Sequence, residues 1–99
     1  MGQLTLYKLQ AYNSIEDSIA DGTADDQVAF GDIQQYAYLF KLTNDGTTDI
    51  TFKLQSTANP SITVKAGETI IIDEHKIENI YLSNSSGSTV NYRILIIGE

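Results

Sequence analysis

Apolar and polar residues alternate with a period of two along most of the chain between residues 36 and 97. This period places apolar side chains on one face of a β-strand and polar side chains on the other. Residues 49–55 show it most clearly, because Ile50, Phe52 and Leu54 are separated by polar residues. The pattern predicts one all-β domain over residues 1–99, an antiparallel β-sandwich of seven or eight strands with jelly-roll or Ig-like topology.

Turn-forming residues divide the chain into short strands. The turns are Asn44-Asp45-Gly46, Ala58-Asn59-Pro60, Ala66-Gly67 and Ser85-Ser86-Gly87. We expect strands at residues 4–12, 33–43, 49–55, 62–64, 69–73, 77–83 and 89–97. The short connection from Asn44 to Thr48 predicts a hairpin between 33–43 and 49–55. No internal repeat is evident.

Residues 13–26 are the stretch without period-2 character. Ser14 is typical of a helix N-cap, and Glu16 and Asp17 would follow in the first turn. The segment is therefore expected to form a short helix or an acidic loop near residues 14–26, and residues 13–32 are the candidate docking arm. The acidic residues 21–26 suggest calcium, but they lack the spacing of an EF-hand loop. A solvated loop is the default expectation.

Composition narrows the classes of function. The chain has 99 residues, a net charge of −7 and no cysteine. Its six lysine and arginine residues are scattered singly, so nucleic-acid binding is not expected. No apolar run reaches the roughly 20 residues that span a membrane, and the N-terminus lacks the features of a signal peptide. No cofactor or metal is predicted.

The candidates for catalysis are weak. His75 lies beside Asp73 and Glu74, and serines are plentiful, but no Gly-x-Ser-x-Gly sequence accompanies them. Asp73 and Glu74 would point to opposite faces of a strand and could not flank one glycosidic bond. The sequence therefore predicts that the protein is not an enzyme.

Three segments are apolar on both faces: residues 36–40, 70–72 and 94–97. A two-sheet sandwich needs one apolar face per strand, so the surplus side chains would point outward. Either residues 13–30 fold over them, or they sit at strand ends, or they form a subunit interface, because monomers seldom expose contiguous apolar patches. The last interpretation predicts a homo-oligomer. Its candidate interface residues are Leu39, Ile71, Leu95, Ile97, Val28 and Phe30.

Carbohydrate binding is the alternative hypothesis, as in a carbohydrate-binding module or a receptor-binding tip. Six tyrosines could stack on sugars, although the chain has no tryptophan. Several of them alternate in step with core aliphatic residues and are expected to be buried. This hypothesis predicts at least one exposed tyrosine beside polar turn residues.

The C-terminal part resembles a known group of proteins. Residues 61–72 form a strand, an Ala66-Gly67 turn and an apolar strand, and residues 80–87 read Ile-Tyr-Leu-x-Asn-x-Ser-Gly before a final apolar strand. Over residues 60–98 this order resembles small β-sandwich virion proteins of tailed bacteriophages, of the capsid decoration and head-fibre base type. The resemblance implies a non-enzymatic virion component, made in the host cytoplasm and often trimeric. Its partners would be copies of itself and a major capsid or other virion protein.

Overall fold

The computed structural model describes residues 11–73 and 76–99, which form eight strands and no helix. The strands are β1 (Ala11–Ile19), β2 (Thr23–Gln27), β3 (Ala37–Asn44), β4 (Ile50–Leu54), β5 (Ile62–Val64), β6 (Thr69–Ile72), β7 (Ile80–Asn84) and β8 (Val90–Gly98). They make two antiparallel four-stranded sheets, ordered β1-β8-β3-β6 and β2-β7-β4-β5. The prediction of an all-β sandwich is confirmed. No helix of the described residues is long and apolar enough to cross a membrane.

The core lies between the two sheets and follows from the alternation in the sequence. Along β8, every second residue from Val90 to Gly98 is buried. Phe40 of β3 and Phe52 of β4 meet across the sheets, edge to face, with ring centroids 5.3 Å apart. Such aromatic pairs add to the stabilisation that comes from burying apolar area. The inward faces of both sheets are thus occupied by apolar side chains.

The expected helix or acidic loop near residues 14–26 is wrong, because this stretch forms β1 and β2. β1 pairs with β8 over all nine of its residues, from Ala11 opposite Gly98 to Ile19 opposite Val90. This pairing satisfies the backbone and directs Ile15 and Ile19 toward the core, which outweighs a local N-cap signal. The candidate docking arm at residues 13–32 therefore contains most of β1 and all of β2, and its docking role stays a prediction. The expected strand at 4–12 falls mostly outside the described residues.

The predicted hairpin between 33–43 and 49–55 is also wrong. β3 and β4 belong to different sheets, so the turn between them carries the chain across the sandwich. β3 pairs instead with β6 and β8, which are distant in sequence. A short turn between two amphipathic strands is compatible with both arrangements, because both keep the apolar faces on the core.

Two asparagines give the fold an internal repeat that was not evident in the sequence. Asn44 ends β3 and Asn84 ends β7, each just before the chain changes sheets. The amide of Asn44 donates to the carbonyls of Thr48 and Val64, and that of Asn84 donates to those of Ser88 and Ile19. Both side chains are buried. The two corners therefore have the same hydrogen bonds. After Asn44 the chain leaves the β1-β8-β3-β6 sheet, and after Asn84 it returns to it.

Candidate functional site: the outer face of the β1-β8-β3-β6 sheet

The outward-facing side chains of the β1-β8-β3-β6 sheet bring separate apolar residues together. Ile97 on β8 lies between Tyr12 on β1 and Leu39 on β3. The next outward residue of β8, Leu95, lies in the same row as Ile71 on β6. We call these five residues the outer patch: Tyr12, Leu39, Ile71, Leu95 and Ile97.

The outer patch is accessible to solvent. Tyr12 is 69% exposed and Ile71 is 58% exposed, while Leu39, Leu95 and Ile97 are half-buried. The inward-facing Ile94 and Ile96 are buried, as the alternation along β8 predicts. Within the described residues, 13–30 does not fold over the patch, because its two strands extend the sheets at their edges.

The structure separates the six candidate interface residues into two groups. Leu39, Ile71, Leu95 and Ile97 lie together in the outer patch. Val28 is buried in the core, which contradicts its placement as an interface residue, and its N–H donates to the Ile80 carbonyl. Phe30 is half-buried against the core and lies outside the outer patch, so its interface role stays a prediction.

Tyr12 belongs to the outer patch and was missed by sequence reasoning. Its position depends on the pairing of β1 with β8, a contact between the two ends of the described chain. The sequence could have indicated this position, because in a strand Tyr12 points to the face opposite that of Ala11 and Asn13, which are half-buried.

A depression of about 260 Å³, lined by both charged and apolar side chains, borders the outer patch. Ser14 and Glu16 of β1 line one side of it, and Lys41 and Thr43 of β3 line the other. Arg93 lies between them on β8. The carboxylate of Glu16 thus lies at the edge of the outer patch, whereas the ammonium group of Lys41 lies within it, between Leu95 and Ile71.

The charge of Arg93 is paired within the chain. Its Nε and Nη2 donate to the two carboxylate oxygens of Asp45 at 2.7 and 3.0 Å. This hydrogen-bonded pair lowers the pKa of Asp45 and raises the pKa of Arg93. Both groups are exposed, so the pair is screened by solvent and chiefly orients the Arg93 side chain.

The other sequence-predicted candidates do not form a second site. Glu74 and His75 lie outside the described residues, and Asp73 is exposed. In the acidic stretch, Asp21 accepts a hydrogen bond from Gly87 N–H, and Asp25 pairs with Lys53 at 3.1 Å. Over residues 11–73 and 76–99, no group of three or more His, Cys, Asp or Glu side chains is placed to hold a metal ion.

Among the described residues, few polar side chains are buried between the two sheets. Asn44 and Asn84 are the buried polar side chains there, and both are hydrogen-bonded. Tyr92 is a buried titratable side chain, and its pKa is raised by desolvation and by the nearby carboxylates of Asp17 and Asp26. No buried side-chain nitrogen or oxygen of the described residues lacks a hydrogen-bond partner. The outer patch and the depression beside it are therefore the candidate site.

No protein-family model and no curated protein matches the chain. Its fold is similar to that of solved structures at low sequence identity. A double-stranded β-helix protein of the cupin family from Methanocaldococcus jannaschii aligns with a TM-score of 0.60 at 8% identity, covering 86% of this chain and 68% of that chain. A predicted oxalate decarboxylase from Thermotoga maritima aligns with a TM-score of 0.58 at 10% identity, over 100% and 76% of the two chains.

A third similar structure is that of Bacillus endospore appendages, described as forming disulfide-linked pili. It aligns with a TM-score of 0.56 at 16% identity, covering 90% of this chain and 87% of that chain. At these identities the three likenesses concern the fold alone.

The comparisons correct one prediction. The sequence predicts that the protein is not an enzyme, because its candidates for catalysis are weak. The predicted oxalate decarboxylase aligns over the full length of this chain, and a structure of DMSP lyases aligns over 88% of it with a TM-score of 0.56 at 10% identity. The fold is thus one that enzymes also have, and the prediction that the protein is not an enzyme was wrong to exclude them. The chain is an all-β sandwich of the kind found in cupin and double-stranded β-helix proteins.

Proposed function

We propose that this protein is a structural component that assembles with copies of itself through the outer patch. The observation that carries the proposal is the clustering of five apolar side chains on one outer sheet face, with Tyr12 and Ile71 more than half exposed. A cluster of exposed apolar side chains is typical of interaction sites. Burying it would contribute about 25 cal/mol for each Å² removed from water.

The border of the outer patch suits a second copy of the chain. Glu16 lies on the β1 side of the depression and Lys41 on the β3 side. A surface that carries both signs of charge beside apolar side chains can be complementary to itself, since each copy can place its Lys41 near Glu16 of the other. The pilus-forming neighbour supports the same class of function, although assembly here would be non-covalent because the chain has no cysteine.

We further propose a bacteriophage virion as the setting of this assembly, with a major capsid or other virion protein as the lattice partner. The support is the resemblance of residues 60–98 to virion proteins. The strand order β1-β8-β3-β6 over β2-β7-β4-β5 also supports the jelly-roll topology that the sequence predicts, a topology that occurs in viral capsid domains, lectins and cupins. A trimer remains the favoured closed form.

The test is the substitution Leu95→Glu. Leu95 is outward-facing and half-buried, so the glutamate remains hydrated in the monomer but would lose water in the assembled form. We expect self-association to weaken about tenfold or more, with the free energy of unfolding changed by less than about 0.5 kcal/mol. Light scattering over a dilution series and urea unfolding give the two quantities.

The matched control is Thr63→Glu, which adds the same charge to an exposed position of β5 in the other sheet. The control should assemble like the unchanged protein. A protein that stays monomeric at all concentrations, or a Leu95→Glu variant that assembles like the control, would contradict the role of the outer patch.

Carbohydrate binding is the second candidate, and one observation favours it. Tyr12 is 69% exposed on the outer face, and its neighbour on that face of β1, Ser14, lines the depression beside the outer patch. An exposed ring beside hydroxyl and charged groups can stack on a sugar and hydrogen-bond to it. A glycan array should then show binding that Tyr12→Ala abolishes. Absence of binding at high protein concentration would remove this candidate.

A further inference from the structure

β1 is a long sheet edge without irregularity. Its nine residues are all in register with β8, and among the described residues its other side pairs with no strand. The remaining edges are less regular: β5 has three residues, β6 has four, and β2 has a register shift where Asp25 adopts a φ of 50°. Because an edge strand exposes unpaired N–H and C=O groups, a long regular edge is a template for a further strand.

We infer that β1 pairs in antiparallel orientation with β1 of a second copy of this chain, centred on Ile15. This pairing would join two β1-β8-β3-β6 sheets into one continuous sheet. The inference rests on the proposed function, since it supplies a second self-association contact. That contact uses the strand edge and is distinct from the outer patch.

The charge pattern of β1 suits this register. With Ile15 at the centre, Ser14 faces Glu16 of the second copy, and Asn13 faces Asp17 of the second copy. Every carboxylate thus lies opposite a neutral group that can donate a hydrogen bond. Moving the centre to Glu16 or Asp17 would place two like charges directly opposite each other, which destabilises a strand pair. The Ile15 register is also the one in which all nine residues of β1 pair.

The apolar residues of β1 favour the same contact. Ala11 and Ile15 point toward the core but are only half-buried at the sheet edge. In the inferred register, Ile15 lies opposite Ile15 of the second copy, so two half-buried side chains cover each other. Aliphatic pairs directly opposite each other stabilise a strand pair.

The two contacts are geometrically compatible. A two-fold axis perpendicular to the joined sheet keeps both outer faces on the same side. The two outer patches therefore face the same way, but Tyr12 of each copy lies opposite Ser18 of the other, so the two tyrosines are about 20 Å apart along the strands. Edge pairing thus presents two separate outer patches on one face of the joined sheet.

Single cysteines test the register, because the natural chain has none. Residues directly opposite in an antiparallel pair have Cα atoms about 4.5–5.5 Å apart, within the range of a disulfide, whereas diagonal neighbours lie about 7–8 Å apart. We would prepare Ser14→Cys and Glu16→Cys, both at exposed positions, and oxidise each alone and the two mixed. The control is a mixture of Ser14→Cys with Ser18→Cys, which are diagonal in this register.

We expect a disulfide-linked dimer on a non-reducing gel from the Ser14→Cys and Glu16→Cys mixture, several-fold more abundant than from either variant alone or from the control mixture. Equal cross-linking in the control mixture, or in Ser14→Cys alone, would overturn the register. No cross-link from proteins that light scattering shows to be oligomeric would overturn edge pairing and leave the outer patch intact. No cross-link from proteins that are monomeric throughout would contradict both proposals.

Discussion

At the scale of the residue, Tyr92 shows how the core changes the chemistry of a single group. Its ring is buried on the inner face of β8, and desolvation raises the pKa of its hydroxyl. The carboxylates of Asp17 and Asp26 act in the same direction, because a tyrosinate near them would be repelled. The folded state therefore favours the neutral phenol more than the unfolded state does.

This difference makes stability dependent on alkaline pH. A pKa that is higher in the folded state stabilises the fold fully below the ordinary tyrosine pKa, and the contribution is lost as pH rises through the raised value. We expect the free energy of unfolding to fall over that alkaline range less steeply in Tyr92→Phe than in the unchanged protein. Urea unfolding of both proteins at a series of pH values measures how the free energy of unfolding depends on pH.

The matched control for this prediction is Tyr12→Phe, since Tyr12 is exposed. In this variant the free energy of unfolding should fall at alkaline pH as steeply as it does in the unchanged protein. Parallel pH profiles for Tyr92→Phe and the unchanged protein would show that the Tyr92 hydroxyl has no part in the loss.

At the scale of the element, the decisive features are the corners at which strands change sheets. Asn84 ends β7, and its side chain holds both the turn that follows and the end of β1 through the carbonyls of Ser88 and Ile19. Its side-chain oxygen accepts from Ser86 N–H. Because the side chain is buried, its removal would leave backbone groups without partners and out of contact with water.

We expect Asn84→Ala to lower the free energy of unfolding by about 2–3 kcal/mol, the cost of leaving buried polar groups unsatisfied. Chemical denaturation measures the change. Asn91→Ala is the control, because Asn91 is exposed at the start of β8, and it should change stability by less than about 0.5 kcal/mol. Similar stability losses in the two variants would show that the corner does not depend on Asn84.

At the scale of the whole molecule, one sandwich presents two surfaces to other copies. The outer patch gives a contact across the face of the β1-β8-β3-β6 sheet, and β1 gives a contact along its edge. A closed oligomer follows if one contact dominates, and an extended assembly follows if both are made. The net charge of −7 keeps separate copies apart at long range, so both contacts depend on short-range apolar burial.

Local patterning accounts for the part of the structure that could be predicted. Period-2 alternation identified the all-β class and the inward and outward faces of β4 and β8. It also placed Leu95 and Ile97 outside, because a strand whose neighbouring residues are all apolar must expose one face. These conclusions depend on adjacent residues alone, so the sequence determined them without knowledge of pairing.

The tertiary structure decided which strands pair, and with that the composition of the candidate site. The pairing of β1 with β8 turned an expected acidic arm into a sheet edge and brought Tyr12 beside Ile97. The crossing between β3 and β4 and the burial of Val28 likewise arise from contacts distant in sequence. Local propensity cannot decide such features, since burial and backbone pairing in the assembled sheets outweigh the small preferences of single residues.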